Sequence, residues 1–538
     1  MVAGTYDYIV IGSGSAGGVV AARLAESGKY RVLCLEAGTK ESSYIFTQPP
    51  AATPFLIDNP KVNWRYRSEP NPDLGGRQIY VPRGKMLGGS SSINGTIYNR
   101  GQRVDYDTWA QMGCRGWGYD DILPYLKKLE TTDIGEDKYR GRSGPIRVTE
   151  ASKITPFYDL FISAAKAAGL PHNKDYSGET QEGVAMAQQT VQRGKRHSTA
   201  NRYLEPARRA GKLDIITGAE VTSLILDGKR CTGVRFMRNG QNEEVFAKRE
   251  VIVSCGAANS PKLLELSGIG NPDILTEHGV TPRHELPGVG ENLRDHYAAI
   301  LKWRFSKPGI SLSKRGRGIG LVKEVLRYGL LRTGFISQGI GTMRVFMKSR
   351  PEKDVPDIMM VVAPFLIELK TGEGRRMSKE DGFFMYSHLQ RTESAGQIHI
   401  RSSDPLDPPK IAFRFLETEN DRQTAILAVR RAREIIATEP MASAVGEELA
   451  PGKQVQSDEE ILNFIRETGQ ITHHMVGTCR MGHDPMAVVD ERLRVHGIDG
   501  LRVADASIMP TVPSGNTNIP CMMVGEKCAA MVLEDAAA

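Results

Sequence analysis

Three glycines and one glutamate near the N-terminus have the spacing of a site for a dinucleotide cofactor. Gly12, Gly14 and Gly17 follow the apolar residues 8–11 in the order G-x-G-x-x-G. In this pattern the first glycine permits a tight turn, the second lets the backbone approach a pyrophosphate, and the third brings a helix close to the strand. Glu36 ends the next apolar run, where its carboxylate can accept hydrogen bonds from a ribose diol. Because that carboxylate would repel a 2′-phosphate, the pattern predicts an adenine dinucleotide other than NADP.

These residues must be positioned by a strand, a helix and a second strand. The helix N-terminus would offer free N–H groups and a positive dipole end to the phosphates. A structural β-α-β unit that binds nothing is the alternative. The motif does not separate FAD from NAD, although its place at the start of a long chain favours FAD. No second G-x-G-x-x-G follows a strand, so we expect a flavin enzyme whose electron donor is the substrate itself.

Length and composition limit the remaining possibilities. A chain of 538 residues is too long for one ordinary core, which predicts two domains. The net charge of +7 is modest and scattered, so nucleic acid is not an expected partner. The basic cluster at 314–317 favours a solvated loop, with a gate or a docking surface for an acidic or membrane partner as the alternative. The seven cysteines are odd in number and form no C-x-x-C, which argues against disulfides and a metal centre.

We expect neither a transmembrane segment nor a signal peptide. No apolar run approaches the ~18 residues of a membrane span, and the N-terminus lacks a basic stretch followed by an apolar one. The sequence therefore predicts a cytoplasmic protein without a transmembrane segment, with peripheral membrane contact left open.

The periodicity of the chain predicts an α/β fold. Residues 212–256 carry short aliphatic strands, and one helix is expected within 105–130. From about residue 300, alternating strands predict an antiparallel sheet at 300–305, 342–348, 357–364, 383–390, 396–401 and 410–415. Helices are expected at 418–438 and from the capping box of Ser457 and Glu460 to Gly469. We expect a Rossmann-like domain built from discontinuous segments, with an inserted α+β domain of antiparallel strands and helices.

Five segments together resemble the glucose–methanol–choline (GMC) family of FAD-dependent oxidoreductases. They are the Gly/Ser-rich residues 84–107, the turn and helix at 256–270, the turn cluster 286–296, and the C-terminal stretches 474–482 and 503–520. The resemblance covers nearly the whole chain. Within this family, the sequence most resembles bacterial choline dehydrogenases and alkanol dehydrogenases.

The resemblance implies a catalytic pair made of His474 and Asn516. A histidine can accept the alcohol proton near neutral pH, while hydride leaves for flavin N5. An amide N–H can stabilise the developing alkoxide. His473 precedes the family histidine, where an aromatic residue is usual, and is expected to line the substrate pocket; an exchange of roles between the two histidines is the alternative. Neighbouring side chains in a strand would point to opposite faces, which argues against a metal site.

The resemblance also implies the cofactor contacts. Ile93 stands where choline oxidases carry the flavin-linked histidine, so FAD is expected to be held non-covalently. The implied cofactor-binding residues are Gly12, Gly14, Ser15, Ala16, Gly17, Glu36, Ala37, Gly88, Gly89, Ser92, Asn94, Gly95, Ile97, Val221, Asp505, Ala506, Asn516 and Thr517.

The implied function is oxidation of a primary or secondary alcohol to an aldehyde or ketone. A dehydrogenase with a quinone-like or other acceptor is favoured over an oxidase that uses O2 and produces H2O2. A non-redox lyase or a light-driven flavoprotein of the same family is an alternative of another class, and a non-catalytic flavin-binding protein is a third. The domains are expected at 1–155, 195–310 and 470–538 for FAD, and at 156–194 and 311–469 for the substrate. The alcohol and the oligomeric state are not determined by the sequence.

Overall fold

Two sheets of seven strands organise the computed structural model, which describes residues 4–40, 45–370 and 374–538. In the first sheet, Thr5–Ile11 lies between Val32–Glu36 and Gln241–Val253 and is parallel to both. The order of the strands in this sheet is Leu213–Thr217, Val32–Glu36, Thr5–Ile11, Gln241–Val253, Arg230–Arg238 and Glu220–Asp227, with Leu501–Val503 paired to Gln241–Val253.

The first sheet is parallel at its centre, and its central strands are buried on both faces. All five residues of Val32–Glu36 are buried, as are the last four of Thr5–Ile11. Continuous burial of this kind suits a parallel sheet covered by helices. The helix Gly17–Glu26 follows the first strand, and its Arg23 pairs with the fully buried Glu526 of the C-terminal helix Asn518–Asp535 at 2.8 Å.

The second sheet is antiparallel, as predicted, but alternation does not describe all of its strands: Met343–Met347 is buried throughout. The order of the strands in the second sheet is Val445–Ala450, Tyr297–Phe305, Gly382–Leu389, Ile358–Ala363, Met343–Met347 and Gly183–Met186, with Gln470–Ile471 paired to Tyr297–Phe305. The predicted strands at 396–401 and 410–415 are not part of this sheet and form the separate pair Gln397–His399 with Lys410–Ala412. The helix Glu419–Ile436 lies against this sheet, where the Ser387 hydroxyl donates to the carbonyl of Ala428 at 2.9 Å. The predicted α/β fold class, with a mixed first sheet and an antiparallel second one, is confirmed.

The remaining elements are helices and short strand pairs. The α-helices are Gly17–Glu26, Thr53–Ile57, Arg103–Gln111, Tyr119–Leu129, Phe157–Ala167, Glu205–Arg209, Gly256–Leu266, Pro272–Glu277, Gly318–Leu331, Glu419–Ile436, Met441–Ala444, Asp458–Thr468 and Asn518–Asp535. The two-stranded pairs are Tyr66–Arg67 with Tyr80–Val81, Glu130–Thr131 with Ile146–Arg147, Thr149–Glu150 with Gln188–Gln189, Val191–Gln192 with Lys195–Arg196, Ile269–Gly270 with His284–Glu285, Ile367–Lys370 with Gly374–Met377, and Gln397–His399 with Lys410–Ala412.

Two local features predicted from the sequence are the capping box at Ser457 and a helix within 105–130. The capping box is present, because Ser457 Oγ accepts from the Glu460 N–H at 3.2 Å while the Glu460 carboxylate accepts from the Ser457 N–H. The single helix expected within 105–130 is wrong: two helices occur there. Gly113 and Gly116, with φ of +97° and +78°, form the turn between them, and such values favour glycine.

The predicted division into domains stays a prediction. The strand Tyr297–Phe305, which falls inside a segment expected to bind FAD, lies in the second sheet. The same is true of Gln470–Ile471. Among the helices in the described part of the chain, none is long and apolar enough to span a membrane.

Candidate active site

A cavity of about 1000 Å³ opens between the two sheets, and the conspicuous sequence motifs converge on it. One side is formed by the glycine loop after the first strand and by the C-terminal segment 505–518. The other side is formed by one face of the second sheet. Cavities of this size accommodate cofactors and small molecules.

Gly12 and Gly17 have the backbone geometry that their spacing predicts for a tight turn and a closely packed helix. Gly12 has φ of +92°, a value that favours glycine. A Cβ at Gly17 would lie 2.0 Å from the carbonyl oxygen of Gly12, so the helix approaches the strand as closely as a glycine allows. A Cβ at Gly14 would meet nothing within 4 Å, which leaves its backbone open toward the cavity.

Glu36 is buried and is engaged by the loop itself. One carboxylate oxygen accepts hydrogen bonds from the backbone N–H and the hydroxyl of Ser13, and the other accepts from the Gly38 N–H at 2.8 Å. Burial raises the pKa of the Glu36 carboxyl. Glu36 also lines the cavity, so its carboxylate anchors the glycine loop in addition to its predicted role toward a ribose.

A second glycine loop meets the first. The Gly88 N–H donates to Ser13 Oγ at 3.0 Å, and a Cβ at Gly89 would lie 2.8 Å from the Cα of Gly14. Gly88 and Gly89 both have positive φ, at +86° and +51°. Ser13 therefore connects Glu36 to the second loop. Sequence reasoning missed Ser13, because it occupies a variable position of the motif.

Most of the predicted cofactor residues line the cavity. These are Gly12, Gly14, Ser15, Ala16, Glu36, Ala37, Gly89, Asn94, Gly95, Ile97, Val221, Asp505, Ala506, Asn516 and Thr517. Gly17, Gly88 and Ser92 do not line the cavity. The Ser92 hydroxyl donates to the carbonyl of Leu87 at 2.8 Å. The contacts of these residues with a bound cofactor stay predictions.

Asp505 holds a third backbone segment at the cavity. Its carboxylate accepts from the Gly256 N–H at 2.8 Å and from the Ser260 hydroxyl, and also from the Ser507 N–H at 2.8 Å. The 256–270 motif is thus fixed to the 503–520 motif. The sequence alone did not pair these two motifs.

His474 and Asn516 come together at the junction of the two halves. The Nε2 atom of His474 lies 2.9 Å from Nδ2 of Asn516, and both residues line the cavity. His474 Nδ1 lies 2.9 Å from Nδ1 of a second buried histidine, His296, and 2.7 Å from Thr472 Oγ1. Sequence reasoning placed His296 in a turn motif and gave it no role.

The hydrogen bonds around these rings assign the proton positions. His296 Nε2 lies 2.8 Å from the carbonyl oxygen of Gln390, which can only accept, so Nε2 carries the proton. In a neutral ring Nδ1 of His296 is then the acceptor, and the proton between the two rings belongs to His474 Nδ1. His474 Nε2 is left without a proton and accepts from the amide of Asn516. The unprotonated Nε2 of His474 therefore faces the amide of Asn516, which lines the cavity.

Both histidines are neutral in this environment. Burial lowers the pKa of His474 well below its usual value, and the neighbouring His296, His388, His473 and Arg83 lower it further. Burial and His388 lower the pKa of His296 in the same way. A neutral imidazole at the junction can accept a proton.

Asp295 supports the backbone of the candidate base. Its Oδ1 accepts from the His474 N–H at 2.8 Å. Burial raises the pKa of Asp295 to about 7, while Arg83 opposes this rise. Arg83 in turn donates to the carbonyl of His473 at 3.0 Å. Asp295 and Arg83 together fix the backbone on both sides of the His473–His474 peptide.

His473 lines the cavity, but not for the reason expected from a strand. Residues 472–474 lie outside the strands, and His473 has a φ of +69°. The prediction that the two histidines lie in a β-strand is therefore wrong. No cluster of three metal-ligating side chains occurs in the described ranges, and the seven cysteines are free thiols.

A glycine-loop cofactor cradle beside a neutral buried histidine defines the class of nucleotide-dependent oxidoreductases. Family models described as GMC oxidoreductase match residues 6–298 and 392–525 of this chain. The chain belongs to the GMC oxidoreductase family. It is an FAD-dependent oxidoreductase that acts on CH–OH donors, as the resemblance in sequence implied.

Individual relatives support this assignment over the full length. The oxygen-dependent choline dehydrogenase of Vibrio vulnificus (strain YJ016) is 41% identical, covering 98% of this chain and 94% of that protein. The protein of the same name from Brucella ovis is 39% identical, covering 98% and 95%. Among solved structures, pyridoxine 4-oxidase from Mesorbium loti has a TM-score of 0.87 at 28% identity, covering 98% of this chain and 99% of that one. A formate oxidase variant from Aspergillus oryzae RIB40 has a TM-score of 0.90 at 27% identity, covering 99% of both.

The residues at the cavity fit the cofactor of this family. The two glycine loops present backbone without side chains, and buried polar atoms remain unused in the described part of the protein. Asn516 Oδ1 and Asn518 Nδ2 are buried, line the cavity and have no hydrogen-bond partner there. Such atoms suit polar groups of a bound molecule.

Proposed function

We propose that this protein oxidises an alcohol to an aldehyde or ketone with His474 as the proton acceptor. The observation that carries the proposal is the row of close contacts from the Gln390 carbonyl through His296 and His474 to Asn516, from which we infer an unprotonated Nε2 on His474. Bound FAD supplies the hydride acceptor. Anaerobic addition of alcohols separates this reaction from a lyase or a light-driven reaction, because only hydride transfer from the alcohol bleaches the flavin.

His474, Asn516 and His296 would each have a separate role in this reaction. An alcohol oxygen placed between His474 Nε2 and the Asn516 amide would give its proton to the imidazole. Asn516 would donate an N–H to the oxygen as negative charge develops there. His296 keeps the His474 proton on Nδ1, so the ring accepts only at Nε2.

We further propose that FAD is held without a covalent bond. Ile93 stands where choline oxidases carry the flavin-linked histidine. It lines the cavity and packs against Leu56, Ile57, Val62 and Met86. An aliphatic side chain cannot form a bond to the flavin. FAD should therefore appear intact in the supernatant after acid precipitation. Flavin retained on the pellet would contradict non-covalent binding.

The electron acceptor is proposed to be a quinone or another carrier rather than O2. The second candidate is O2 itself, favoured by the names of the Vibrio and Brucella relatives. Anaerobic reduction of the flavin by an alcohol, followed by mixing with either air or a soluble quinone, separates the two. Faster reoxidation by air would overturn the dehydrogenase proposal.

The role of His474 is tested by stopped-flow flavin reduction under nitrogen. His474→Ala should keep its FAD and lose about 10²–10⁴-fold in the reduction rate, because a general base is removed. Asn516→Ala should lose about 10²–10³-fold, typical of one oxyanion donor. His473→Ala should mainly weaken substrate binding. If His473→Ala abolishes reduction and His474→Ala does not, the two roles are exchanged.

A further inference from the structure

One wall of the cavity is a row of side chains that crosses four strands of the second sheet. Ile300 pairs with Tyr386, Tyr386 with Val361, and Val361 with Arg344. All four line the cavity. Across the same sheet the next row includes His388, whose ring centroid lies 4.7 Å from that of His296. The two rows are two residues apart along the strands, or roughly 7 Å.

Arg344 is a buried cation that has no acidic partner among the described residues. Its side chain is 1% exposed, and Nη1 donates only to the backbone carbonyls of Gly341 and Met343, at 3.1 and 2.8 Å. Nε is buried with no hydrogen-bond partner in the described chain. Burial lowers the pKa of Arg344 to about 10, so the guanidinium stays charged at neutral pH. A buried charge without a counter-ion is costly and is usually paired.

The surroundings of Arg344 are electropositive. None of the described residues that the second sheet contributes to the cavity is acidic, and Lys302 adds a second cation. The cavity-lining Glu36 and Asp505 come from the cofactor side, where backbone N–H groups engage them. The other two acidic residues of the lining, Asp58 and Glu220, also lie outside the second sheet, and Glu220 pairs with Lys85 at 3.1 Å. We therefore expect the counter-charge for Arg344 to come from a bound molecule.

We infer that the alcohol substrate carries a carboxylate and that Arg344 binds it, while the hydroxyl group lies at His474 and Asn516. This inference rests on the proposed alcohol oxidation. A guanidinium suits a carboxylate because it can form two parallel hydrogen bonds. The same wall would repel a quaternary ammonium group. The substrate class is thus a hydroxy acid rather than choline.

The test compares matched alcohols by anaerobic flavin reduction. The probes are ω-hydroxy acids of increasing length, the corresponding ω-hydroxy amides, and choline. The wild type should reduce its flavin with the best acid about 30-fold or more efficiently than with the matched amide, in line with the loss of a buried charge pair. In Arg344→Gln this ratio should fall to about one, and in Arg344→Lys it should be intermediate. Arg283→Gln, which removes an exposed arginine outside the cavity, should leave the ratio unchanged.

A second measurement does not depend on alcohol oxidation. Propanoate, but not propanamide, should raise the melting temperature of the wild-type holoenzyme, and this shift should vanish in Arg344→Gln. If no alcohol reduces the flavin while propanoate still stabilises the protein through Arg344, the proposed function fails and the anion site stands. Equal rates with acid and amide, together with no propanoate effect, would overturn the anion site. FAD content and the melting temperature of each variant check that it is folded.

A different observation concerns the surface of the helix Gly318–Leu331. Only Glu324 and Tyr328 of this helix are buried. Leu330 is 82% exposed and Ile319 is 77% exposed. The other exposed large apolar side chains of the helix are Leu321, Val322, Val325, Leu326 and Leu331. A patch of this kind in a globular protein marks a contact surface.

The charges on this helix complement an anionic lipid surface. Lys323 and Arg327 on the helix, and Lys314 in the segment before it, are exposed. The only acidic residue of the helix, Glu324, is buried and accepts from the Phe335 N–H at 2.8 Å. The exposed face is therefore apolar and cationic, as in helices that lie in the membrane interface.

The patch continues toward the cavity. The helix contacts the turn Phe335–Ser337, which contacts Pro50–Ala52. Ile45 and Phe46, which precede Pro50–Ala52 in the chain, are also exposed, as is Phe55, which follows it. Thr53, Pro54 and Ile340, adjacent in the chain, line the cavity. The apolar surface thus borders the cavity.

We propose that this face docks on a bilayer containing anionic lipid. Helix Gly318–Leu331 would lie in the headgroup region, with its leucines inserted and its lysines and arginines at the phosphates. A lipid-dissolved electron acceptor could then reach the cavity without crossing bulk water. This proposal does not depend on the identity of the substrate.

Sedimentation with vesicles tests the docking surface. The wild-type holoenzyme should bind phosphatidylcholine vesicles that contain phosphatidylglycerol, more weakly at high salt, and more weakly without phosphatidylglycerol. Leu326→Glu with Leu330→Glu should weaken binding about tenfold or more, because two leucines that would insert into the bilayer are lost. Leu406→Glu, which alters an exposed leucine elsewhere, should bind as the wild type does. Absence of vesicle binding, equal binding by the double variant, or a wild-type dimer that the double variant dissociates without any vesicle binding would overturn the proposal.

Discussion

At the scale of single residues, the proton on one histidine is decided by a residue two contacts away. The carbonyl of Gln390 fixes the His296 proton on Nε2, and His296 then fixes the His474 proton on Nδ1. His474 is a candidate catalytic residue, whereas His296 is a positioning residue that acts through it. The low pKa values of both rings keep the arrangement neutral.

The pH dependence of flavin reduction follows from the pKa of His474. Because this pKa is lowered well below 6.5, the ring is already unprotonated at neutral pH. The reduction rate should be level above pH 7 and fall only below pH 6.5, as the imidazole becomes protonated. Anaerobic stopped-flow reduction across this range measures it. A midpoint above pH 7 would show that another group controls the proton transfer.

The positioning role of His296 predicts different results for two substitutions. Asn at this position keeps an acceptor near the Nδ1 site, whereas Ala removes it. His296→Ala should lower the flavin reduction rate about 10- to 100-fold and shift the pH midpoint, while His296→Asn should recover most of the rate. Equal losses in both variants, with an unchanged pH profile, would indicate a purely structural role.

At the scale of elements, two glycine loops from distant parts of the chain are joined by Ser13 and Glu36. The first loop follows the strand Thr5–Ile11, and the second contains Gly88 and Gly89. Because the Glu36 carboxylate accepts three hydrogen bonds from the first loop and its neighbour Gly38, this junction has a structural role even before a cofactor binds.

Substitution of Glu36 should therefore affect both cofactor and fold. Glu36→Ala should weaken FAD binding by about one to two decades, the value of a charged hydrogen bond. It should also lower the melting temperature of the FAD-free protein, because buried donors lose their acceptor. Glu285→Ala, at an exposed site away from the cavity, serves as the control. Weakened FAD binding with unchanged melting of the FAD-free protein would contradict the anchoring role.

At the scale of the whole molecule, buried neutral histidines make the fold sensitive to acid. His197 lies away from the catalytic pair, and its Nδ1 accepts from the Arg147 N–H at 3.0 Å. Burial, with help from Arg202 and Arg147, lowers the pKa of His197 from 6.5 to about 3. Since the unfolded chain binds the proton more readily, this group's contribution to stability is present above pH 6.5 and is lost as pH falls toward 3.

The expected loss from His197 between pH 7.5 and 5 is about 2 kcal/mol. In His197→Gln, which keeps a neutral acceptor, the fall in the free energy of unfolding over this range should be smaller by that amount. Denaturant titrations of wild type and variant at the two pH values measure the difference. Parallel losses in both proteins would mean that His197 does not carry this acid sensitivity.

The sequence by itself determined the cofactor loop, the family and the two kinds of sheet. Gly12, Gly14, Gly17 and Glu36 lie within one local β-α-β unit, so their roles follow from short-range geometry. The capping box at Ser457 is local in the same way. The antiparallel sheet was predicted from alternation, although its strand Met343–Met347 is buried throughout, as is Val32–Glu36 of the parallel sheet. The two helices within 103–129 were harder to separate, because turn glycines also occur inside helical patterns.

Only the tertiary structure decided which distant groups meet. His296, Gln390 and His474 are far apart in the chain, and no local pattern links a turn motif to the catalytic histidine. Arg344 looks like an ordinary strand residue until the register of four strands places it in the cavity wall without an acidic partner. The exposed leucines of Gly318–Leu331 resemble a buried helix in sequence, and only the absence of a covering element in the described structure reveals their exposure. Burial and pairing depend on contacts between distant segments, which composition and spacing do not encode.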